Sequence, residues 1–220
     1  MKIQIIGSGD KDSYPKEDCI CNLCQEARKR EELKRLPFSS ILIKDKYLID
    51  GNKECLEVLK SKPKEIIITH LFDLETDKEI NYHIPEIFAS SLPQGENVYY
   101  FSNKILFKDI LFRCFEIEND FALGFKNFFY YLGNWRNEKI FKTIRKEKPK
   151  IVFANGSNLL EKQDSELTWK RNLLKLSKIG VKKVIFLRFS HKNQNPDEFF
   201  YNLFSIFPLE IHFARDYENL

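Results

Sequence analysis

Hydrophobic positions along the chain come mostly in short runs bounded by polar residues, Gly or Pro, a spacing that suits strands more often than helices. The start, Lys2 to Ile6, reads as a strand that runs into a loop at Gly7-Ser8-Gly9-Asp10. Gln25 to Leu36 is dense in Glu, Lys and Arg and predicts an exposed helix supported by pairs four apart, ended by Pro37. Ser39 to Lys44 and Lys46 to Ile49 predict two paired strands, the second broken by Asp50-Gly51. Glu54 to Leu59 fits one or two helical turns. Lys64 to Thr69 carries a continuous Ile run, as expected of a strand buried on both faces. After a polar stretch come β-like runs at Asn97 to Phe101, Lys104 to Leu106, Ile110 to Ile117 and Phe128 to Leu132. Asn134 to Lys146 and Ser165 to Ser177 have helical spacing, with strands at Ile151 to Ala154 and Val184 to Leu187. Pro196 to Ile206 predicts a helix with Asn195 as its cap, and Glu210 to Phe213 a last strand.

The order is meander-like in the middle and β-α-β at the end. It predicts an α/β (α+β) fold of sheets with helices packed outside. No stretch is rich enough in Ser or Pro to be a linker, and no repeat of fixed period stands out, so residues 1–220 are expected to form one domain. Hydrophobic residues make up 43% of the chain, a globular composition rather than a disordered one. The net charge of +4 is too small to argue for nucleic acid or an anionic membrane. No apolar run is long enough for a membrane span, and no charged segment followed by an apolar one opens the chain, so a cytoplasmic protein is expected.

Three of the five cysteines, Cys19, Cys21 and Cys24, fall within six residues. In a reducing compartment such a cluster reads as metal ligands rather than disulfides. Three thiolates in a short loop can converge on one tetrahedral zinc, which needs a fourth ligand from elsewhere. With all four positions filled by protein, such a site has no open coordination position and is structural. Cys55 and Cys114 stand alone in apolar contexts and read as small buried hydrophobes.

Together, Gly7-Ser8-Gly9, the Cys19/Cys21/Cys24 spacing with Ala27-Arg28 after it, and the strand start at Ser39-Ser40 carry a resemblance. They resemble one branch of the metallo-β-lactamase fold, the branch with the cyclic-phosphate phosphodiesterase of phosphonate breakdown and the B protein of pyrroloquinoline quinone biosynthesis. Leu48-Ile49-Asp50-Gly51 is similar to that family's "LIDAG" turn, and Ile68-Thr69-His70 to the strand that delivers its metal motif. Ile185 to His191 resembles its "LTHxxH" segment. The resemblance implies an αββα sandwich. It also implies a structural zinc, one per chain, held by Cys19, Cys21, Cys24 and the last His of that segment, here His191. It is compatible with a homodimer.

The family's catalytic motif, H-x-H-x-D-H, follows the buried strand and gathers imidazoles and a carboxylate around two metals that activate a water. Here the matching segment is His70-Leu71-Phe72-Asp73-Leu74-Glu75. Only the first His is kept: Phe72, Leu74 and Glu75 replace a His, the Asp and a His. The family's bridging Asp matches Asn134 in Tyr131-Leu132-Gly133-Asn134, and the first His of "LTHxxH" matches Arg188. The remaining family His would lie before Phe121 to Phe125, but no His occurs between His83 and His191. Phe and Leu cannot coordinate a dication, and a guanidinium repels one. Arg188 could instead supply positive charge near the old metal position, for a small anionic or phosphorylated ligand.

The chain has 4 His, so any imidazole site must draw on His70, His83, His191 and His212. Asp73 and Glu75, with His70 and His83, are candidates for a substitute single-metal site; read singly, the two carboxylates are solvated loop charges, His70 a family remnant or hydrogen-bonded structural residue, and His83 and His212 ordinary partly buried histidines. Gly7-Ser8-Gly9 lacks the pattern of a phosphate cradle. The basic run from Arg28 to Arg35 is interleaved with Glu and reads first as a solvated helix face, with RNA contact the weaker reading. The aromatic residues from Phe125 to Trp135 read as core, with part of the cluster open to a dimer contact. The expectation from the resemblance is a degenerate metallo-β-lactamase-like protein that keeps a structural zinc but lacks the dinuclear centre, acting in ligand binding or interaction; the alternative is a metal-dependent, phosphodiesterase-like hydrolase with a divergent site around His70.

Overall fold

A computed structural model describes residues 1–9, 14–30, 34–70, 78–88, 97–118, 120–157, 163–188 and 207–220. Two sheets face each other. The first has the order β1 (Ile3–Gly7), β2 (Ser40–Ile43), β3 (Tyr47–Ile49), β4 (Glu65–Ile67), β5 (Asn81–Pro85) and β6 (Val98–Phe101). The second runs β13 (Glu210–Phe213), β12 (Lys183–Leu187), β11 (Ile151–Asn155), β10 (Phe128–Tyr131), β9 (Asp120–Phe125), β8 (Leu111–Ile117) and β7 (Lys104–Leu106).

Both sheets follow one pairing rule. In the first, β1, β2 and β3 are antiparallel neighbours and β3 to β6 are parallel. In the second, β8, β9 and β10 are antiparallel and β10 to β13 parallel, with β7 added antiparallel at the edge. A tight turn at Lys44-Asp45, both at positive φ, joins β2 to β3, whereas the cysteine loop and α1 (Asn22–Lys29) lie between β1 and β2. Parallel pairs need crossovers. Helix α2 (Lys53–Glu57) lies between β3 and β4, α3 (Glu138–Glu147) between β10 and β11, and α4 (Gln163–Ile179) between β11 and β12.

Alternation along the strands builds three apolar layers. Ile41, Ile43, Ile49 and Ile67 of the first sheet meet Phe112, Leu123, Tyr130, Phe153 and Ile185 of the second in the central core. The opposite positions of the second sheet, Val152, Ala154, Val184 and Phe186, pack under Ile140, Phe141 and Ile144 of α3 and Trp169, Leu173 and Leu176 of α4. The outer face of the first sheet, with Leu42, Leu48, Ile66 and Tyr82, is covered by Cys55 of α2 and by Phe88. The fold is a four-layer α+β sandwich, two facing sheets with helices on both outer faces. Among the described residues no helix is long and apolar enough to cross a membrane.

Several expectations shift. The charged stretch Gln25 to Leu36 is not one helix: α1 spans Asn22–Lys29, and its first turn holds Cys24. Arg30 leaves helical geometry, and Arg35 bridges back to Tyr14 as an extended residue. Charge pairs four apart add only tenths of a kcal/mol each, too little to hold a helix with no apolar face to bury. Helix α3 begins at Glu138, capped by Asn137, rather than at Asn134. Strand β5 lies where no strand was expected, its Tyr82 and Ile84 buried. The aromatic run is core: Phe125, Phe129, Tyr130, Tyr131 and Trp135 are all buried, which leaves little of it for a dimer contact. Cys55 and Cys114 are buried as expected. The expected helix Pro196 to Ile206 lies outside the described residues.

Candidate functional sites

Two places gather the predicted residues. The first is the cysteine loop. The Sγ atoms of Cys19, Cys21 and Cys24 lie within 4.8 Å of one another. A tetrahedral zinc with bonds of about 2.3 Å sets its sulfurs roughly 3.8 Å apart, so a small contraction closes the three thiols on one ion. Cys21 caps α1, its sulfur accepting the Cys24 N–H at 3.5 Å. Burial, first of all, pushes the Cys24 thiol up to about 11, so loading a metal there releases a proton. Arg28 braces the loop from behind: one guanidinium nitrogen donates to the carbonyls of Lys16, Glu17 and Cys19 at 2.8, 2.7 and 2.8 Å. The donor set fits zinc. The fourth expected ligand, His191, lies outside the described residues.

The second place is the edge where the parallel strands end. Asp50 follows β3, Thr69 and His70 follow β4, Leu132 and Gly133 follow β10, and Arg188 follows β12. Asp120 enters from the start of β9, which the antiparallel pairing sets beside the end of β10. Ligand sites in such sheets form outside the carboxyl ends of parallel strands, where backbone groups and loops converge. Asp50 and Arg188 both hold left-handed backbone, at φ 53 and 62. Strain of this kind in non-glycine residues concentrates at functional sites.

Polar contacts at this edge are specific. Asp50 accepts the Thr69 N–H at 2.6 Å on one oxygen and the Thr69 hydroxyl at 2.5 Å on the other. Because that hydroxyl donates to Asp50, its oxygen is free to accept from His70 Nδ1, 2.6 Å away. The network thus puts the ring proton on Nδ1. The other nitrogen, Nε2, is buried without a hydrogen-bond partner among the described residues and lies 3.8 Å from Asp120 Oδ1. That separation is too long for a hydrogen bond. Gly133 makes the Asp120 approach possible, since a Cβ there would fall 2.1 Å from the Asp120 carboxylate and 2.6 Å from the Tyr131 hydroxyl.

Arg188 does not stand clear in the old metal space. Its N–H donates to the Ser39 hydroxyl at 2.7 Å, and its guanidinium reaches the Leu132 carbonyl at 3.2 Å. Tyr130 donates to the Ser39 carbonyl at 3.2 Å. Burial and then the neighbouring Asp50 carboxylate push its hydroxyl well above the ordinary range, with Arg188 opposing. Asn134 is exposed, and its side-chain oxygen accepts the Arg136 N–H at 3.0 Å. Asp73 and Glu75, like Phe72 and Leu74, lie outside the described residues. His83 pairs with Glu65 at 2.9 Å and His212 with Glu218 at 2.8 Å, both away from this edge.

The residues around His70 do not make a dinuclear centre among the described positions. Asp50 meets Nδ1 and Asp120 meets Nε2, so the two carboxylates sit on opposite sides of one ring, and both Asp50 oxygens already accept from Thr69. One ion could be shared by Nε2 and Asp120. Sequence reasoning kept His70 and missed Asp120; the available signal was an acidic residue just before Phe121, where the family's remaining His would lie. It also passed over Asp50 as a strand breaker.

No protein-family model matches the sequence, and no curated protein matches it. Among solved structures the chain is similar to a Thermotoga maritima protein described as a Zn-dependent hydrolase of the metallo-beta-lactamase superfamily. The identity is 9%, the match covers 80% of this chain and 93% of that one, and the TM-score is 0.46. So distant a likeness adds nothing to what strand order and register already establish.

Proposed function

We propose that this chain is a cytoplasmic binding or interaction protein on a metallo-β-lactamase-like fold. In this reading it keeps one structural zinc on Cys19, Cys21, Cys24 and His191 and has no dinuclear hydrolytic centre. The observation that carries the reading is the division of His70 between two carboxylates. Its imidazole is engaged by Thr69 and Asp50 on one side and left with Asp120 alone on the other. The replacement of family ligands by Phe72, Leu74 and Arg188 supports it from the sequence. Metal counting is the test: about one zinc per chain after dialysis is expected, and it should be lost in Cys21→Ser together with solubility. A metal-free preparation with unchanged melting would overturn the zinc assignment.

One observation favours a second reading. The buried His70 Nε2, without a hydrogen-bond partner among the described residues, lies near Asp120, as expected if an ion or water belongs between them. A phosphodiesterase-like hydrolase with one metal there would bind two or more metals per chain. It would also hydrolyse bis-p-nitrophenyl phosphate on addition of manganese, with loss of activity in Asp120→Asn.

A further inference from the structure

A cleft of about 840 Å³ opens between Arg28 of α1 and residues 14–15, 34–37 and 215–217. Among the described residues its lining carries Arg28, Lys34, Arg35 and Arg215 and one carboxylate, Asp216. An excess of this kind inside one cleft is large for a chain with a net charge of only +4. Asp216 contributes little negative field at the mouth. One of its oxygens accepts the Ser8 N–H and hydroxyl at 2.8 and 2.6 Å, and the other accepts the Leu36 N–H at 2.5 Å. It serves as a floor that ties the carboxyl-terminal segment to the first strand. Burial raises its pKa. Arg215 is exposed, uses its backbone N–H for Glu218, and makes no ion pair among the described residues.

The wall has an aromatic part. Tyr14 and Tyr217 line the cleft. Tyr217 is 49% exposed and sits at φ 63, a left-handed conformation that is costly for a bulky residue. It also lines a second cleft of about 660 Å³, whose lining mixes Leu42, Val58 and Leu59 with Lys2, Asp45 and Lys60.

We infer that this cleft binds a small phosphorylated ligand of the nucleoside diphosphate class, with its phosphates among Arg28, Lys34, Arg35 and Arg215 and its planar ring against Tyr217. Guanidinium groups suit phosphate through paired N–H donors. The volume lies within the range of small-molecule sites. A nucleic acid is disfavoured, since its affinity comes from many neutralised phosphates spread over a basic surface. The site is separate from the His70 edge. Metal counting tests the reading of that edge, whereas ligand titration tests this one.

The experiment is calorimetric titration of the full zinc-loaded chain with ADP, pyrophosphate and adenosine. ADP is expected to bind one to one and more tightly than either of the other two. Arg215→Ala should weaken ADP about ten-fold, the loss of one charge-assisted contact. Lys34→Ala should weaken it in the same direction, and Tyr217→Ala should weaken ADP but leave pyrophosphate unchanged. Unshifted melting temperatures would confirm that each variant is folded. The inference is overturned if ADP shows no binding up to about 1 mM, the weak limit of specific recognition. It is equally overturned if ADP binds no better than pyrophosphate, if Arg188→Ala weakens ADP while Arg215→Ala does not, or if a single-stranded RNA binds more tightly with a steep salt dependence.

Discussion

Replacing Thr69 by Val tests whether the strand-end edge is held by its own polar network. Thr69 is fully buried, and its hydroxyl joins Asp50 at 2.5 Å to His70 Nδ1 at 2.6 Å. Valine keeps the branched shape and removes only the hydroxyl. Asp50 retains the backbone bond at 2.6 Å, but its second oxygen then has His70 Nδ1, 3.5 Å away, as the replacement. A hydrogen bond to a charged group contributes about 1.5–3 kcal/mol, and a stranded buried polar atom costs a similar amount. Partial recovery by a shift of His70 toward Asp50 leaves a net loss of about 2–3 kcal/mol. For a chain of this length that corresponds to a fall in Tm of roughly 4–12 °C. Thr69→Ser keeps both bonds and removes one methyl group, a cost of about 1 kcal/mol. Urea unfolding followed by circular dichroism should therefore rank wild type above Ser, and Ser above Val. Burial of apolar surface alone would put Val above Ser. A valine variant as stable as the serine variant would refute the network.

Three further outcomes follow from particular contacts. Arg28→Gln removes the donor shared by three loop carbonyls, and it should weaken zinc retention against a competing chelator about 10–100-fold, as loss of outer-sphere support does elsewhere; unchanged retention would show that the cysteines organise themselves. Burial holds the His83 pKa below its ordinary value, with Glu65 opposing. A depressed folded value means that the unfolded chain takes up the proton first, so stability should be full above about pH 6.5 and decline as pH falls toward the folded value. His83→Gln should flatten that part of a melting-against-pH profile, and an equal slope in both proteins would contradict the assignment. Trp169 packs on Trp135 and Phe186 with ring centroids at 5.5 and 4.8 Å, and Trp169→Ala should cost about 3–5 kcal/mol in urea unfolding. A loss below 1 kcal/mol, the scale of a surface change, would show that the cavity collapses freely.

What could be read from residues alone was what depends on short range. The apolar run within Ser39 to Lys44 and the Ile run after Lys64 mark strands buried on both faces, since short apolar runs bounded by polar residues suit such strands. The three cysteines mark a metal loop because ligands within one short loop need no long-range pairing to meet. His70 was legible for the same reason, as the end of a recognisable strand. The limits of α1 were less legible, since the charged stretch after it has helical composition but no apolar face to dock.

Tertiary structure decided everything that joins distant segments. Asp120 reaches His70 only because β9 pairs antiparallel with β10 while β4 ends opposite them in the other sheet. Asp50 changed from a strand breaker to the partner of Thr69 and His70 once β3 and β4 lay side by side in parallel register. Arg28, in a run that read as a solvated helix face, is exposed but reaches three carbonyls of the cysteine loop, and Arg35 and Arg215, 180 positions apart in sequence, line one cleft. Local pattern sets which face a residue presents to its own strand or helix. Which residues then meet is set by how strands pair and sheets pack, and that follows from burying all three apolar layers at once rather than from any one segment.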